Sequence, residues 1–166
     1  MLMIQPSTDT YFLAGVQIES LPPLRVACLR FISPTPEDDW KKFMADCNAL
    51  QNLPGPGRNF GFDIDVSSEQ QKAGCRGYEF WYVVPDSFEP IESITIRNFE
   101  GGKYATLTLH KPFVDPYKFI PDGWKELHEW VIRSDHYRVA SHQWLEELIP
   151  HPEGDDLKLY HPVTRA

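Results

Sequence analysis

Alternation of apolar and polar residues predicts β-strands along most of this chain. The first two alternating stretches are separated by Leu21-Pro22-Pro23, because a proline cannot donate to a sheet and therefore ends a strand. A polar connection at 67–77 separates two later stretches, and we expect 104–109 to be a half-buried strand. The predicted strands are 16–19, 24–31, 60–66, 78–84, 91–99, 103–109, 143–149 and 157–163.

Two further stretches place apolar residues at helical spacing. One has them at i, i+3, i+4 and i+7, and the other, over about 122–134, has them at i, i+3 and i+7. Each pattern forms the apolar stripe of an amphipathic helix. The residues concerned are Trp40, Phe43, Met44 and Cys47 in the first stripe, and Trp124, Leu127 and Val131 in the second.

The order of these elements is repeated, because each half of the chain reads strand, strand, helix, strand. Trp40 and Trp124 lead equivalent helices, and Glu79 and Glu146 fall on equivalent later strands. The turn at Gly101-Gly102 is expected to join the strands 91–99 and 103–109 as a pair.

The composition is typical of a globular protein. The chain has 166 residues with 42% hydrophobic and 13% aromatic content, which fits one domain or two small halves that share a core. We expect residues 1–10 to be a flexible leader and 11–166 to be a single domain. The aromatic content indicates either a dense core or a pocket walled by rings.

The charge and the reactive residues exclude several functions. The net charge is −8 and the basic residues form no run, which argues against direct nucleic-acid binding. Three cysteines without CxxC spacing indicate reduced thiols in a cytoplasmic protein, and dispersed histidines predict no metal site. No catalytic or dinucleotide fingerprint is present, so we expect neither a cofactor nor a catalytic residue. No export or membrane segment is indicated.

A carboxylate among aromatic side chains is the candidate binding chemistry, because rings and negative charge both attract an organic cation. Glu146 lies in such a strand, and the alternative is a solvated strand glutamate, since Glu147 beside it must face the opposite way. Tyr104 either packs in the core or lines a ligand-binding cleft. Trp81 shares a strand face with Glu79. The candidate ligand-binding residues are Glu146, Tyr104, Trp81, Tyr82, Trp124, Phe113 and Trp144.

Six short motifs between about 16 and 163 occur in a recognisable order and spacing. They are Leu-Pro-Pro-Leu-Arg-Val-Ala at 21–27, Gly-Tyr-Glu-Phe-Trp at 77–81, Phe-Glu-Gly-Gly-Lys-Tyr-Ala at 99–105, Gly-Trp-Lys-Glu-Leu at 123–127, Trp-Leu-Glu-Glu at 144–147 and Leu-Tyr-His-Pro-Val at 159–163. In these motifs the chain resembles the GyrI-like effector-binding domain. This domain is the ligand-binding module of AraC-type and MerR-type multidrug regulators, and it occurs in integron-cassette proteins that bind cationic compounds.

The resemblance implies an α+β fold of two pseudo-symmetric βαββ halves, at about 11–88 and 89–166. Their strands would form a concave antiparallel sheet with packed helices and a central ligand cleft. Glu146 matches the strand-borne glutamate with which relatives hold lipophilic cations. Of Trp124 and Trp130 on the predicted helix, at least one is expected to be a core residue and not a ligand contact. Phe113, in a proline-rich loop, is expected to flap over the cleft.

The function implied is that of a stand-alone receptor for a hydrophobic, cationic small molecule, acting as a sensor or a sequestering protein. A separate regulator or a second copy in a homodimer is the expected protein partner. Two alternatives stay open at this stage. One is a hydrolase of reactive electrophilic compounds, in which Glu146 would be the base or nucleophile. The other is an inhibitor module that binds a DNA-acting enzyme.

Overall fold

The computed structural model of this chain describes residues 15–53 and 57–166. The expected leader at 1–10 lies outside the described residues. The chain divides into two compact units. One, the terminal unit, contains the residues up to Pro22 together with Gly101–Ala166. The other, the central unit, is Pro23–Glu100.

Nine strands and four α-helices lie in the part of the chain that the structure describes, which confirms the α+β class. The strands are β1 (Gln17–Leu21), β2 (Leu24–Ser33), β3 (Asn59–Ile64), β4 (Arg76–Val83), β5 (Thr95–Phe99), β6 (Gly102–Leu109), β7 (Tyr137–Val139), β8 (Leu145–Ile149) and β9 (Asp156–Arg165). The helices are α1 (Pro36–Asp46), α2 (Asn48–Gln51), α3 (Ser68–Lys72) and α4 (Pro116–Arg133).

The central unit is an antiparallel sheet in the order β3-β4-β2-β5. One face of this sheet packs against α1, as the spacing of apolar residues in that helix predicts. Trp40 of α1 is buried and stacks on Phe80 of β4, with ring centroids 4.6 Å apart. Ala27 and Leu29 of β2 belong to the same core. Burial of these side chains holds the helix on the sheet.

The terminal unit is an antiparallel sheet in the order β1-β6-β9-β8, and the short β7 pairs with the end of β9. Leu127 and Val131 of α4 are buried against one face. They lie among apolar residues of β6 and β9, including Leu107 and Leu159. This packing fixes the side of the sheet on which α4 places its side chains.

The two units repeat one topology. The succession β2-α1-β3-β4 in the central unit has the same strand neighbours as β6-α4-β8-β9 in the terminal unit. β5 and β1 are the fourth strands of these sheets. The expectation that Glu79 and Glu146 lie on equivalent strands is wrong, because Glu79 is on β4 whereas Glu146 is on β8, the counterpart of β3.

The predicted pairing of 91–99 with 103–109 is also wrong. β5 pairs with β2, and β6 already has β1 and β9 as its two neighbours, so its backbone groups are satisfied on both sides. The glycine turn serves a different contact. Gly101 has φ +82°, and a Cβ built there would lie 2.3 Å from the carbonyl oxygen of Leu21. Glycine at this position therefore lets the chain enter β6 beside the end of β1.

Three smaller differences have local causes. α4 begins at Pro116, six residues before the predicted start, because a proline at the first helical position has no intrahelical N–H bond to lose, and Pro121 lies inside the helix. The polar connection at 67–77 contains α3, which is capped by reciprocal hydrogen bonds between Ser67 and Gln70. β6 is not half-buried, since 104–107 is buried on both faces. No helix among the described residues is long and apolar enough to cross a membrane.

We expect Gly101→Ala to lower the free energy of unfolding by at least about 2 kcal/mol, because the methyl group adds a backbone clash to an unfavourable φ. Gly74→Ala is the matched control. Gly74 has φ +81° but nothing within 4 Å of the position that an added methyl group would take, so it should lose only about 1 kcal/mol. Urea denaturation of both variants measures the difference, and equal losses would contradict this reason for Gly101.

Candidate functional site

Glu146 lies on the side of β8 that faces α4. It pairs across the sheet with Leu159, a residue of the core beneath this helix. The indole N–H of Trp124, on α4, donates a 3.0 Å hydrogen bond to Oε1 of Glu146. The ring of Trp144, just before β8, lies 5.5 Å from that of Trp124, centroid to centroid. We call Trp124, Trp144 and Glu146 the indole–carboxylate cluster.

The cluster is partly open to solvent. Glu146 and Trp124 are of intermediate burial, and Trp144 is 37% exposed. The hydrogen bond from Trp124 is donated by a neutral group, so this bond orients the carboxylate without cancelling its charge. The cluster places a carboxylate beside two aromatic rings, which is the chemistry that recognises an organic cation.

Two histidines support Trp144 from below. The ring of His161, on β9, lies 4.0 Å from that of Trp144, and it stacks with His128 of α4 at 5.2 Å. Nδ1 of His161 is 3.0 Å from the carbonyl oxygen of Pro162, and Nε2 is 2.9 Å from Nδ1 of His128. Because a carbonyl oxygen only accepts, Nδ1 of His161 carries the proton. Nε2 of His161 then accepts from Nδ1–H of His128.

His128 is the donor in the second hydrogen bond when His161 is neutral. The side chain of His161 is fully buried, and burial is the main reason that its pKa falls below the ordinary value of 6.5, with His128 lowering it further. The hydrogen bond to Pro162 acts in the opposite direction. A second proton on Nε2 of His161 would also face the proton of His128. The support of Trp144 is therefore built for the neutral form.

The opposite face of β8 carries a second carboxylate. Glu147 is 8% exposed and accepts a 2.5 Å hydrogen bond from the hydroxyl of Tyr160. Tyr104 meets the Tyr160 ring edge to face at 5.5 Å, and its hydroxyl donates to the backbone carbonyl of Gln143 at 2.6 Å. Burial raises the pKa of Tyr104. Because Tyr104 is fully buried and Gln143 precedes Trp144, Tyr104 anchors the segment that presents Trp144.

Two other candidate residues, Trp81 and Tyr82, belong to the central unit. Trp81 is 4% exposed, and its indole N–H donates to Oε2 of Glu79 at 2.6 Å. Tyr82 lies on the other face of β4, where it packs near Trp40. The prediction that Trp81 shares a face with Glu79 and that Tyr82 does not is confirmed. Phe113 lies on a short 3-10 helix at Pro112–Val114 and is 46% exposed, outside the indole–carboxylate cluster.

The structure thus brings Glu146, Trp124 and Trp144 together, with Tyr104 one step removed. Sequence reasoning missed His128 and His161. Both carried a usable signal. His128 is four residues after Trp124 on the same helix, and His161 interrupts the apolar alternation that continues at Leu157, Leu159 and Val163.

The terminal unit also has a surface depression of about 700 Å³, and Glu146 is not among its lining residues. Lys103, Arg138 and Arg165 contribute basic side chains to it. The indole–carboxylate cluster is therefore a partly exposed surface distinct from this depression. In 15–53 and 57–166, no group of three or more His, Cys, Asp or Glu side chains is arranged to hold a metal ion.

Comparison with known families identifies the class of protein. A family model described as Cass2, integron-associated effector binding protein, matches residues 17–163. The chain therefore belongs to this family of integron-associated effector-binding proteins. No protein of curated description matches the sequence.

Several solved structures share the fold. The C-terminal domain of EcmrR is 18% identical, with a TM-score of 0.67, covering 93% of this chain and 99% of that domain. The integron cassette protein VCH_CASS2 from the mobile metagenome of Vibrio cholerae is 15% identical, with a TM-score of 0.55 and coverages of 93% and 98%. SAV2435 bound to tetraphenylphosphonium is 12% identical, with a TM-score of 0.60 and coverages of 91% and 94%. At these identities the similarity shows the fold alone.

We expect acid to destabilise the folded protein through His161. The unfolded chain takes up a proton near pH 6.5, whereas folded His161 resists it, so stability is lost as pH falls from about 6.5 towards the lowered pKa of the folded state. The loss can reach about 1.4 kcal/mol for each pH unit between the two pKa values. Urea denaturation between pH 8 and pH 5.5 measures it.

The controls for this experiment are two glutamine variants. His161→Gln should reduce the difference in stability between pH 8 and pH 5.5, although the variant itself is less stable. His136→Gln, which changes an exposed histidine of the same unit, should retain the full difference. A wild-type protein and a His161→Gln variant with the same pH dependence would show that His161 is not the responsible group.

Proposed function

We propose that this protein binds hydrophobic organic cations at the indole–carboxylate cluster of the terminal unit. The observation that carries the proposal is the carboxylate of Glu146, oriented by Trp124 and placed beside the partly exposed ring of Trp144. A cation seated there would meet the negative faces of the indoles and the charge of Glu146 together. Tyr104 remains a proposed secondary contributor through its support of the Trp144 segment, whereas Trp81 and Tyr82, in the central unit, and Phe113 are not part of this cluster.

The balance of contributions favours a ligand that is both cationic and hydrophobic. A contact between a cation and an aromatic face contributes about 0.5–2 kcal/mol, more when the site excludes water. A small hydrated cation would lose its water shell at such a surface and gain few ring contacts in return. A large cation with diffuse charge loses less hydration and buries more apolar area against the rings.

Membership of the effector-binding family supports a small-molecule ligand. The related fold of SAV2435 with bound tetraphenylphosphonium supports the choice of a lipophilic cation as the probe. In this proposal the protein is a sensor or sequestering protein, which reports or removes its ligand without converting it. A separate regulator or a second copy of the chain would be the receiver of the signal.

Glu146→Gln should weaken tetraphenylphosphonium binding about ten-fold, equivalent to about 1.4 kcal/mol, because the amide keeps the shape of the side chain but not its charge. Isothermal titration measures the affinity. Glu153→Gln is the matched control, since its side chain is 85% exposed and the substitution makes the same change in charge. It should bind as the wild type does. Unchanged binding by Glu146→Gln would overturn the assigned role of Glu146.

Three phenyl-substituted probes of different charge test the ligand class. Tetraphenylphosphonium should bind, whereas the neutral triphenylphosphine oxide should bind less tightly and the tetraphenylborate anion least. Trp124→Phe keeps an aromatic ring but loses the N–H that orients Glu146. This variant should lose more affinity for the cation than for the neutral probe. Equal affinity for all three probes would contradict a charge-based site.

Recovery of the ligand after incubation separates binding from turnover. Mass spectrometry should detect the ligand with its mass unchanged and in the amount that was supplied. Multiple turnovers of an electrophilic ester or epoxide would contradict the proposed receptor function and would favour a hydrolase, in which Glu146 acts on the substrate.

A further inference from the structure

One face of the sheet in the central unit packs against α1. The opposite face points away from this helix. Directly opposed residues of antiparallel strands share a face, so the strand registers assign its members. We call this the arginine face. The residues on it that bear on ligand binding are Arg30, Phe62, Glu79, Trp81, Arg97 and Phe99.

One buried carboxylate organises this face. Glu79 is 2% exposed, and both of its oxygens accept hydrogen bonds. Nε of Arg30 donates to Oε1 at 2.6 Å, and Nη1 of Arg97 donates to Oε2 at 3.1 Å. The indole N–H of Trp81 donates to Oε2 at 2.6 Å. The guanidinium groups of Arg30 on β2 and Arg97 on β5 therefore bind the same carboxylate.

The charge around Glu79 is positive. One carboxylate and two guanidiniums carry a net charge of +1. Among the strand residues of the arginine face, Glu79 is the acidic residue, while Arg30 and Arg97 are the basic ones. Arg58, just before β3, adds a third guanidinium that lies 4.8 Å over the ring of Phe60. An approaching cation would be repelled, and it would have to displace an arginine to reach Glu79.

The guanidiniums keep donors for a further group. Each guanidinium has five N–H donors, and its hydrogen bond to Glu79 uses only one of its three nitrogens. The side chains of Arg30 and Arg97 are 64% and 52% exposed, although their partner Glu79 is buried. A buried carboxylate that fixes exposed guanidiniums reduces the conformational entropy that they would lose on binding an anion. Their planar arrays of donors match a carboxylate in particular.

Aromatic rings border the Glu79 carboxylate. Trp81 lies 5.2 Å from Phe62 and 5.3 Å from Phe99, centroid to centroid, and Arg97 lies 5.9 Å over the Trp81 ring. Phe62 and Phe99 are of intermediate burial, so part of their surface remains accessible. A ligand that places its anionic group on the arginines would have its remaining atoms beside these two rings.

We infer that Arg30 and Arg97 of the central unit form a binding site for the carboxylate of a hydrophobic aromatic acid, with Glu79 as the residue that positions them. The site differs in ligand charge and in residues from the indole–carboxylate cluster. It does not depend on the function proposed for that cluster. Cys28 lies on the same face, where it pairs across the sheet with Trp81. Burial first and Glu79 second raise the pKa of the Cys28 thiol to about 12, while Arg97 and Arg30 lower it.

A series of naphthalene derivatives tests this site, because 2-naphthoate, 2-naphthamide and 2-naphthamidine differ chiefly in charge. Isothermal titration against the full chain should show saturable binding of 2-naphthoate and at least ten-fold weaker binding of the other two. Higher salt should weaken the binding of 2-naphthoate, since the contact is ionic and partly exposed. Selective binding of 2-naphthamidine would overturn the proposal, because it would mean that a cation displaces an arginine.

Three arginine variants assign the site. Arg30→Gln and Arg97→Gln should each reduce the affinity for 2-naphthoate about ten-fold or more, while both side chains are exposed enough for the variants to fold. Arg76→Gln is the matched control. It removes the same charge from β4 on the opposite face, where Arg76 pairs with Glu37, and should bind like the wild type. Wild-type affinity in Arg30→Gln and Arg97→Gln, or no binding of 2-naphthoate by the wild-type chain, would overturn the proposal.

Discussion

Alternation of side chains along a strand is the constraint on which both candidate sites depend. Neighbouring residues of a strand must face opposite sides of the sheet, and in each unit a helix packs against one of these sides. Glu146 and Glu147 therefore meet different partners, Trp124 of α4 for one and Tyr160 of β9 for the other. A shift of one residue in the pairing of β8 with β9 would exchange the two carboxylates and remove Glu146 from Trp124.

Packing of the helix then determines what the faces can do. Leu127 and Val131 hold α4 on the sheet, and this places Trp124 and His128, one turn apart, above β8 and β9. The same core that stabilises the unit thus positions the groups that flank Glu146. A loss of core packing would move the indole and the imidazole together, so stability and site geometry are coupled in this unit.

Local patterns in the sequence predicted most elements and the strand faces, because period and proline placement depend on neighbouring residues only. The apolar stripe of Trp40 predicted the packing of α1, and alternation placed Trp81 with Glu79. The pairing of the strands could not be predicted in this way. The Gly101-Gly102 turn looked like a hairpin, yet β6 pairs with β1 and β9, since the pairing depends on segments far apart in the chain. For the same reason, the contact of His161 with Trp144 and the contacts of two arginines with Glu79 could not be predicted from the sequence.

Glu146 and Glu79 show why a carboxylate beside aromatic rings does not by itself define the charge of a ligand. The contact from Trp124 to Glu146 comes from a neutral donor, which orients the carboxylate and itself adds no positive charge. Glu79 receives a neutral donor and two guanidiniums, so the charge around it changes sign. The donor set around the carboxylate decides the outcome, and that set is fixed by strand register. Residues with the same chemistry in one sequence can therefore favour ligands of opposite charge.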